Sequence, residues 1–339
     1  MLFRSIKEID KVTGGPHGGM RVNEMFLNLL NELFGEENVT KYATGNPADW
    51  LVLMNDFEGK KQGFRILKNK TTNIRVPASF STLTKKIKKS ALKRHGENEI
   101  TLRTNEYICL SSKVMKGLFK PVMDRIKEHL TTVLGRPKLS KVKTMLLVGG
   151  FSDSPLLQEE LRNEFSKRYR VLAPRDAVTA VLKGAVLFGK NPAKITERVV
   201  GASYGVRCAK PFDKRSHPEE NRFLADGREM CKGIFRRLIE ENETVRVGEN
   251  ITDVFTPTWA SSTLLTIAFY VADNPDVRFV TDQGVTKIGS VKVQSPDTSL
   301  GREREIEVTL YFGGTEIVST AVDKASGKKV QTRLDFFHK

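Results

Sequence analysis

Near residue 200 the spacing of apolar residues changes, and that change limits the fold more than any other feature of the chain. Before it, apolar residues recur every three or four positions, the period of a helix packed on one side. After it they recur every second position, the period of a strand with one buried face. Strands are expected over 263–272, 277–280, 285–294, 305–312 and 315–322. In the fourth, Ile306, Val308, Leu310 and Phe312 alternate with Glu307, Thr309 and Tyr311. Gly313-Gly314 and Ser326-Gly327 read as hairpin turns. No helical pattern interrupts the last strands, so the expected class is α/β followed by all-β, the second part an antiparallel β-domain over 201–339. The first part is 1–190, and 191–200 reads as a linker.

Within the first part, Met-Leu-Leu-Val over 145–148 is an apolar strand ending in Gly149-Gly150, and an amphipathic segment follows. Ser154 suits a helix cap and Pro155 the first helical position, where its missing N–H has no partner to lose. Paired glycines let a ligand approach the backbone. A second glycine-rich turn, Thr13-Gly-Gly-Pro-His-Gly-Gly, ends in Gly18 and Gly19 and leads into a helix with Val22, Phe26, Leu29, Leu30 and Leu33 at helical spacing. Neither turn has the Walker pattern. A helix is expected over 50–64 and the longest over 111–134, with a kink at Pro121. Leu83, Ile87 and Ala91 suggest one basic amphipathic helix, and 169–172 a strand. The Ala- and Val-rich helix over 177–188 should be buried and closely packed.

The formal net charge is +16, and much of it lies in residues 60–94, which contain no Asp or Glu. That basic, insertion-like part, about 36–110, suggests an anionic partner. Aromatic residues are sparse there (Phe64, Phe80), so no base-stacking platform is indicated and nucleic acid is not the expected partner. Cys109, Cys208 and Cys231 are odd in number and far apart, which argues against a disulfide framework or a Cys-x-x-Cys metal site. No apolar run approaches the roughly 20 residues of a bilayer-spanning helix. The first residues lack a signal-peptide core, so the expected compartment is cytoplasmic. Gly-x-Ser-x-Gly and His-Glu-x-x-His are absent, and no conventional catalytic residue is singled out.

The order of several motifs resembles the 70-kDa heat-shock protein superfamily, and within it the divergent heat shock 70 kDa protein 12 (12A/12B-like) branch. The motifs are Thr13-Gly-Gly-Pro-His-Gly-Gly-Met-Arg-Val-Asn-Glu, Leu118-Phe-Lys-Pro, Leu146-Leu-Val-Gly-Gly-Phe-Ser-Asp-Ser-Pro-Leu-Leu-Gln, Pro174-Arg-Asp with Leu182-Lys-Gly-Ala-Val-Leu-Phe-Gly, Ser203-Tyr-Gly-Val, and Phe312-Gly-Gly-Thr-Glu-Ile-Val-Ser-Thr-Ala-Val-Asp. The resemblance implies part of an actin-like ATPase domain (its second lobe), then a β-sandwich that in common members binds extended peptides. It implies ATP as the ligand. Gly149 and Gly150 would lie against the adenosine, Gly18 and Gly19 near the phosphates, Glu58 and Lys61 on the ribose, and Asp176 close to the nucleotide.

Two departures follow from the same resemblance. Gln62 and Asp153 stand where common members sandwich adenine between two arginines, and each lost guanidinium stack removes about 1 kcal/mol. The first lobe's phosphate motifs, Asp-x-Gly-Thr/Ser and Asp-x-Gly-Gly-Gly-Thr, do not occur in this sequence. The expectation is therefore a chain lacking the N-terminal lobe, with a weak or vestigial ATP half-site and no autonomous hydrolysis. Mg2+ would enter only with that lobe supplied. Expected partners are unfolded or signalling protein clients on the β-sandwich, and other copies through an exposed lobe face. The alternatives are a fragment of a full-length ATP-dependent chaperone-like ATPase, and a basic protein that binds nucleic acid or anionic lipid.

Overall fold

A computed structural model describes residues 5–66, 70–96, 98–104, 106–312 and 317–334. The chain divides into two units, Gly14–Leu187 and Met1–Thr13 with Phe188–Lys339. The opening strand β1 (Ile6–Lys7) belongs to the latter.

In the unit Gly14–Leu187, helix α1 (Gly19–Phe34) buries Val22, Phe26, Leu29, Leu30 and Leu33, as their spacing requires. It stops at Gly35, whose φ of 91° disfavours any residue with a Cβ. Helices α2 (Glu36–Gly45) and α3 (Pro47–Gln62) follow, and Phe57 of α3 stacks on Phe26 with ring centroids 4.0 Å apart. Next come β2 (Thr71–Arg75), α4 (Ser81–Thr84), α5 (Lys89–His95), β3 (Ile100–Arg103) and β4 (Tyr107–Ser111). The three strands form an antiparallel sheet in the order β2-β4-β3. The single basic helix expected through Leu83, Ile87 and Ala91 is instead two short ones. The turn between them is held to α1, because the Lys88 amide donates to the Leu33 carbonyl at 2.8 Å.

Helix α6 (Ser112–Leu134) is capped by the Ser111 hydroxyl, which accepts from the Val114 amide, and it continues through Pro121. Strand β5 (Thr144–Leu146) lies parallel to β6 (Arg170–Leu172), with α7 (Pro155–Phe165) between them in sequence. One core joins residues from α1, α3, α6, α7 and the strands. Helix α8 (Ala177–Lys190) corrects an expectation. Of its residues only Ala177 is buried, while Val178, Val181, Leu182, Val186 and Leu187 are exposed. Its composition disfavours water on all sides, but composition alone does not supply a covering surface.

In the other unit, β7 (Ile195–Val199) occupies half of the expected linker. It pairs parallel with β1 and antiparallel with β11, given below. The strands that follow are β8 (Ser203–Pro211), β9 (Arg222–Ala225), β10 (Arg228–Ile239), β11 (Thr244–Arg246), β12 (Asn250–Phe255), β13 (Leu264–Ala272), β14 (Val285–Gln294), β15 (Ile306–Tyr311), β16 (Ile317–Asp323) and β17 (Lys329–Leu334). Two antiparallel sheets result, ordered β14-β13-β8-β10-β9 and β12-β15-β16-β17. Ile306, Val308 and Leu310 share a buried cluster with Val206, Phe269, Val291 and Val293, so apolar faces of both sheets contribute to one core. The strand expected over 277–280 is only an isolated bridge, Phe279 opposite Ile234. Ser326 and Gly327 do turn the chain between β16 and β17, with Gly327 at φ 68°. The Gly313-Gly314 turn and residues 67–69 of the basic stretch lie outside the described residues. No helix among the described residues is long and apolar enough to cross a membrane.

Candidate functional site

The turn after β5 is braced from several sides. Gly149, at φ 90°, donates its amide to the Ala177 carbonyl at 2.8 Å. The Ser152 hydroxyl donates to the Gly149 carbonyl at 2.6 Å, and the Gln158 side-chain amide donates to the Ser152 carbonyl at 2.8 Å. The Ser154 hydroxyl accepts from the Leu157 amide and Pro155 begins α7, as the sequence predicts. A Cβ placed on Gly149 or Gly150 would meet nothing within 4 Å, and the same is true of Gly18. The turn is thus fixed in shape and open on its glycine side.

Gly19 stands in the opposite situation. A Cβ there would lie 3.1 Å from the Lys61 ammonium and 3.3 Å from the Phe151 ring. Phe151 directly follows Gly150, so the two glycine segments meet at this point. Its ring lies at a centroid distance of 6.3 Å from Phe119, which in turn is 5.7 Å from Phe64.

Lys61 is only 4 % exposed, and its ammonium donates to the Gly19 carbonyl (2.9 Å), Asn23 Oδ1 (2.9 Å) and Glu58 Oε2 (2.6 Å). These acceptors match the three protons of an ammonium, which is what allows the charge to be buried. Asn23 closes the ring by donating its amide to Glu58 Oε2 at 2.8 Å, and Gln62 donates to Glu58 Oε1 at 3.1 Å. Burial acts to raise the Glu58 pKa, but hydrogen bonds from Lys61, Asn23 and Gln62 and the Lys61 charge outweigh it and hold the carboxyl below its ordinary range.

Gly19, Glu58 and Lys61 are therefore in direct company, with Gly18 adjoining them, and Gly149 and Gly150 reach them through Phe151. Asp176 is connected only through the backbone of its neighbour Ala177. Its exposed carboxylate pairs with Lys183 at 2.6 Å, and that hydrogen bond keeps its pKa low. Gln62 and Asp153 are both exposed. Sequence reasoning missed Asn23, which joins α1 to α3. Its one available signal is its place a single helical turn after Gly19, on the same face. Among the described residues no group of three His, Cys, Asp or Glu side chains is placed to hold a metal ion.

No family model matches the chain. It is 34% identical over 340 residues to Heat shock 70 kDa protein 12A of Homo sapiens, an alignment covering 98% of this chain and 50% of that protein. The Mus musculus protein of the same name gives the same figures. Heat shock 70 kDa protein 12B of Homo sapiens is 32% identical over 345 residues, again covering 98% of this chain and 50% of the relative. The chain spans about half the length of the curated relatives it matches. Over the span they share, which takes in both units, it belongs to the heat shock 70 kDa protein 12A/12B family.

Proposed function

We propose that the chain is a chaperone-related protein with a residual ATP-binding half-site in Gly14–Leu187, read as part of an actin-like ATPase fold, and a β-sandwich interaction module. The observation that carries the nucleotide reading is the Lys61–Glu58–Asn23 network on the Gly19 carbonyl, facing a glycine turn with free space at Gly149 and Gly150. These residues fit a nucleoside. The open glycine backbone leaves room for a ring, and the ionised Glu58 offers an acceptor to a sugar hydroxyl. Gly18 and Gly19 would adjoin the phosphates, and Asp176 would lie close to the nucleotide. ATP, when bound, supplies a transferable phosphoryl group. Lys61 already gives its protons to protein acceptors, so it holds the walls in place rather than meeting charge that develops on a phosphoryl group. Mg2+ would enter only with the first lobe supplied, where one or two carboxylates and the nucleotide phosphates would hold it. Binding without turnover by this chain alone is the resulting reading.

Titration with a fluorescent ATP analogue, beside a phosphate-release assay, tests it. Weak saturable binding that Lys61→Met and Gly150→Val both abolish is expected, with no release. Steady turnover would remove the non-hydrolytic part, and absence of any binding would remove the half-site. A second reading, that the chain acts within a longer ATP-dependent chaperone-like ATPase, is favoured by the relatives being about twice its length.

For the β-unit, client binding is supported by apolar side chains at and beside edge strand β9. Phe223 meets Trp259 at a ring distance of 5.7 Å, and Leu224 and Trp259 are both exposed. Extended peptide segments are the partner class such an edge suits. The exposed face of α8 supports self-association. The cytoplasm remains the compartment we propose.

A further inference from the structure

We propose that the exposed lysine cluster of residues 85–94 is a docking surface for an anionic lipid leaflet. Lys85, Lys86, Lys88, Lys89, Lys93 and Arg94 are all exposed, on or between the short helices α4 and α5. Among the described residues Lys85, Lys89 and Lys93 form no ion pair, and Lys86 bonds only to the neutral amide oxygen of Asn38 at 2.9 Å. Acids close to the cluster include Glu32, bonded to Arg94 and His95, Glu99, which lies against Gly96 and pairs with Lys113, and Glu36 and Glu37 in the first turn of α2, next to Gly35, which borders the Lys88 side chain. The surface therefore keeps a clear positive excess.

Three observations favour lipid headgroups over nucleic acid. Phe64 and Phe80 are buried, so neither of these rings is available to stack on a base. Arg94 already pairs with Glu32 at 2.9 Å through one terminal nitrogen, which engages part of the one guanidinium fork of the cluster. What remains is lysines, compact charges on flexible stems, and these suit a diffuse anionic surface better than a fixed phosphodiester geometry. Ile87 and Leu92 pack against the core rather than projecting outward. The segment should thus adsorb to headgroups without inserting, and its binding should be electrostatic throughout.

Co-sedimentation of the full chain with phosphatidylcholine vesicles, with and without roughly a third phosphatidylserine, is the test. Binding is expected only to the anionic vesicles, and 0.5 M salt should abolish it because the screening length shrinks to a few Å. Each lysine near such a surface is worth about fivefold in affinity. Lys85→Glu, Lys88→Glu, Lys89→Glu and Lys93→Glu together should therefore weaken binding at least ~100-fold, with the corresponding Gln variant intermediate. Unchanged thermal melting of these variants shows that the loss is not unfolding; if they do not fold, the salt series on the unaltered chain decides alone. Equal binding to neutral vesicles, binding that survives high salt, or no binding overturns the proposal. So does tighter binding to single- or double-stranded nucleic acid than to the anionic vesicles.

Discussion

Lys61 and Glu58 stand one turn apart on α3, and the buried ammonium donates to the carboxylate at 2.6 Å. Breaking this pair removes support from two other groups at once, because the Gly19 carbonyl and Asn23 depend on the same lysine. Glu58 is about one-third exposed, which moderates the cost. Lys61→Met should destabilise the chain by ~2 kcal/mol, below the ~3–5 kcal/mol of a fully buried broken pair. Urea midpoints measure it, and a midpoint equal to the unaltered chain's would show that the network carries no stability.

The same carboxylate sets an acid dependence. The folded pKa of Glu58 lies below its ordinary value of 4.5: burial opposes ionisation, but the hydrogen bonds from Lys61 and Asn23 prevail. A depressed folded pKa contributes stability that is complete above the unfolded pKa and is lost as pH falls through the folded one. The unaltered chain should therefore lose stability below about pH 4.5. Glu160 shares the direction, with burial opposing and Lys116 and Lys127 prevailing, so the decisive quantity is a difference. Between pH 5 and 3, Glu58→Gln should show a shallower fall than the unaltered chain, and parallel curves would exclude Glu58 as a contributor.

Substitutions at the glycines separate folding from ligand contact. Gly19→Ala forces a methyl against Lys61 and Phe151 and should cost ~1–3 kcal/mol. Gly149→Ala meets no atoms but is strained at φ 90°, and ~1–3 kcal/mol is expected there as well. Gly150 has open space for a Cβ and no positive φ, so the melting temperature of Gly150→Val should stay close to that of the unaltered chain while analogue binding falls. Retained binding in Gly150→Val would show that this turn is not a ligand wall.

Helix α8 gives an unusual expectation for apolar residues. Leu182 and Val186 are 67 % and 66 % exposed, so Leu182→Glu and Val186→Glu should leave stability within about 0.5 kcal/mol. Both should shift sedimentation profiles toward the monomer if copies associate through this face. An association state unaffected by the pair would exclude α8 as the contact.

Helical period made α1 and α6 legible, since each keeps one face in the core throughout its length. Alternation did the same for β15. It failed for β4, where Ile108, Cys109 and Leu110 are buried in succession and no polar face marks the strand. It failed again for β10, because the register shifts between Cys231 and Ile234 and puts the two halves of the strand out of phase. The helical spacing of Leu83, Ile87 and Ala91 concealed the break at Lys88, since the hydrogen bond that fixes it comes from a distant residue, Leu33. At the candidate site, glycines and a charged pair gave a signal but Asn23 did not. A polar residue on a helix reads as surface until its partners, 35 and 38 positions further on, are brought beside it.

Arg304 provides a test of how the β-unit is held together. It is 1 % exposed, yet its hydrogen bonds go to uncharged groups. Nε donates to the Gly301 carbonyl at 2.8 Å, one terminal nitrogen to the carbonyls of Ser262 (2.7 Å) and Ser295 (3.0 Å), and the other to Ala260 (2.8 Å). The guanidinium thereby joins the segment before β13 to the one between β14 and β15. A lysine ammonium has only three protons from a single point and cannot reproduce the fork. Arg304→Lys should then cost ~2–4 kcal/mol, since carbonyls that lose their donor stay buried. At ~2–4 °C per kcal/mol for a unit of this size, the melting transition of the β-unit should fall by roughly 5–15 °C. Differential scanning calorimetry reads this directly, with any separate transition of Gly14–Leu187 as the internal control. Should Arg304→Lys melt with the unaltered chain, the carbonyl cage would be a consequence of the loop conformations and not what fixes them.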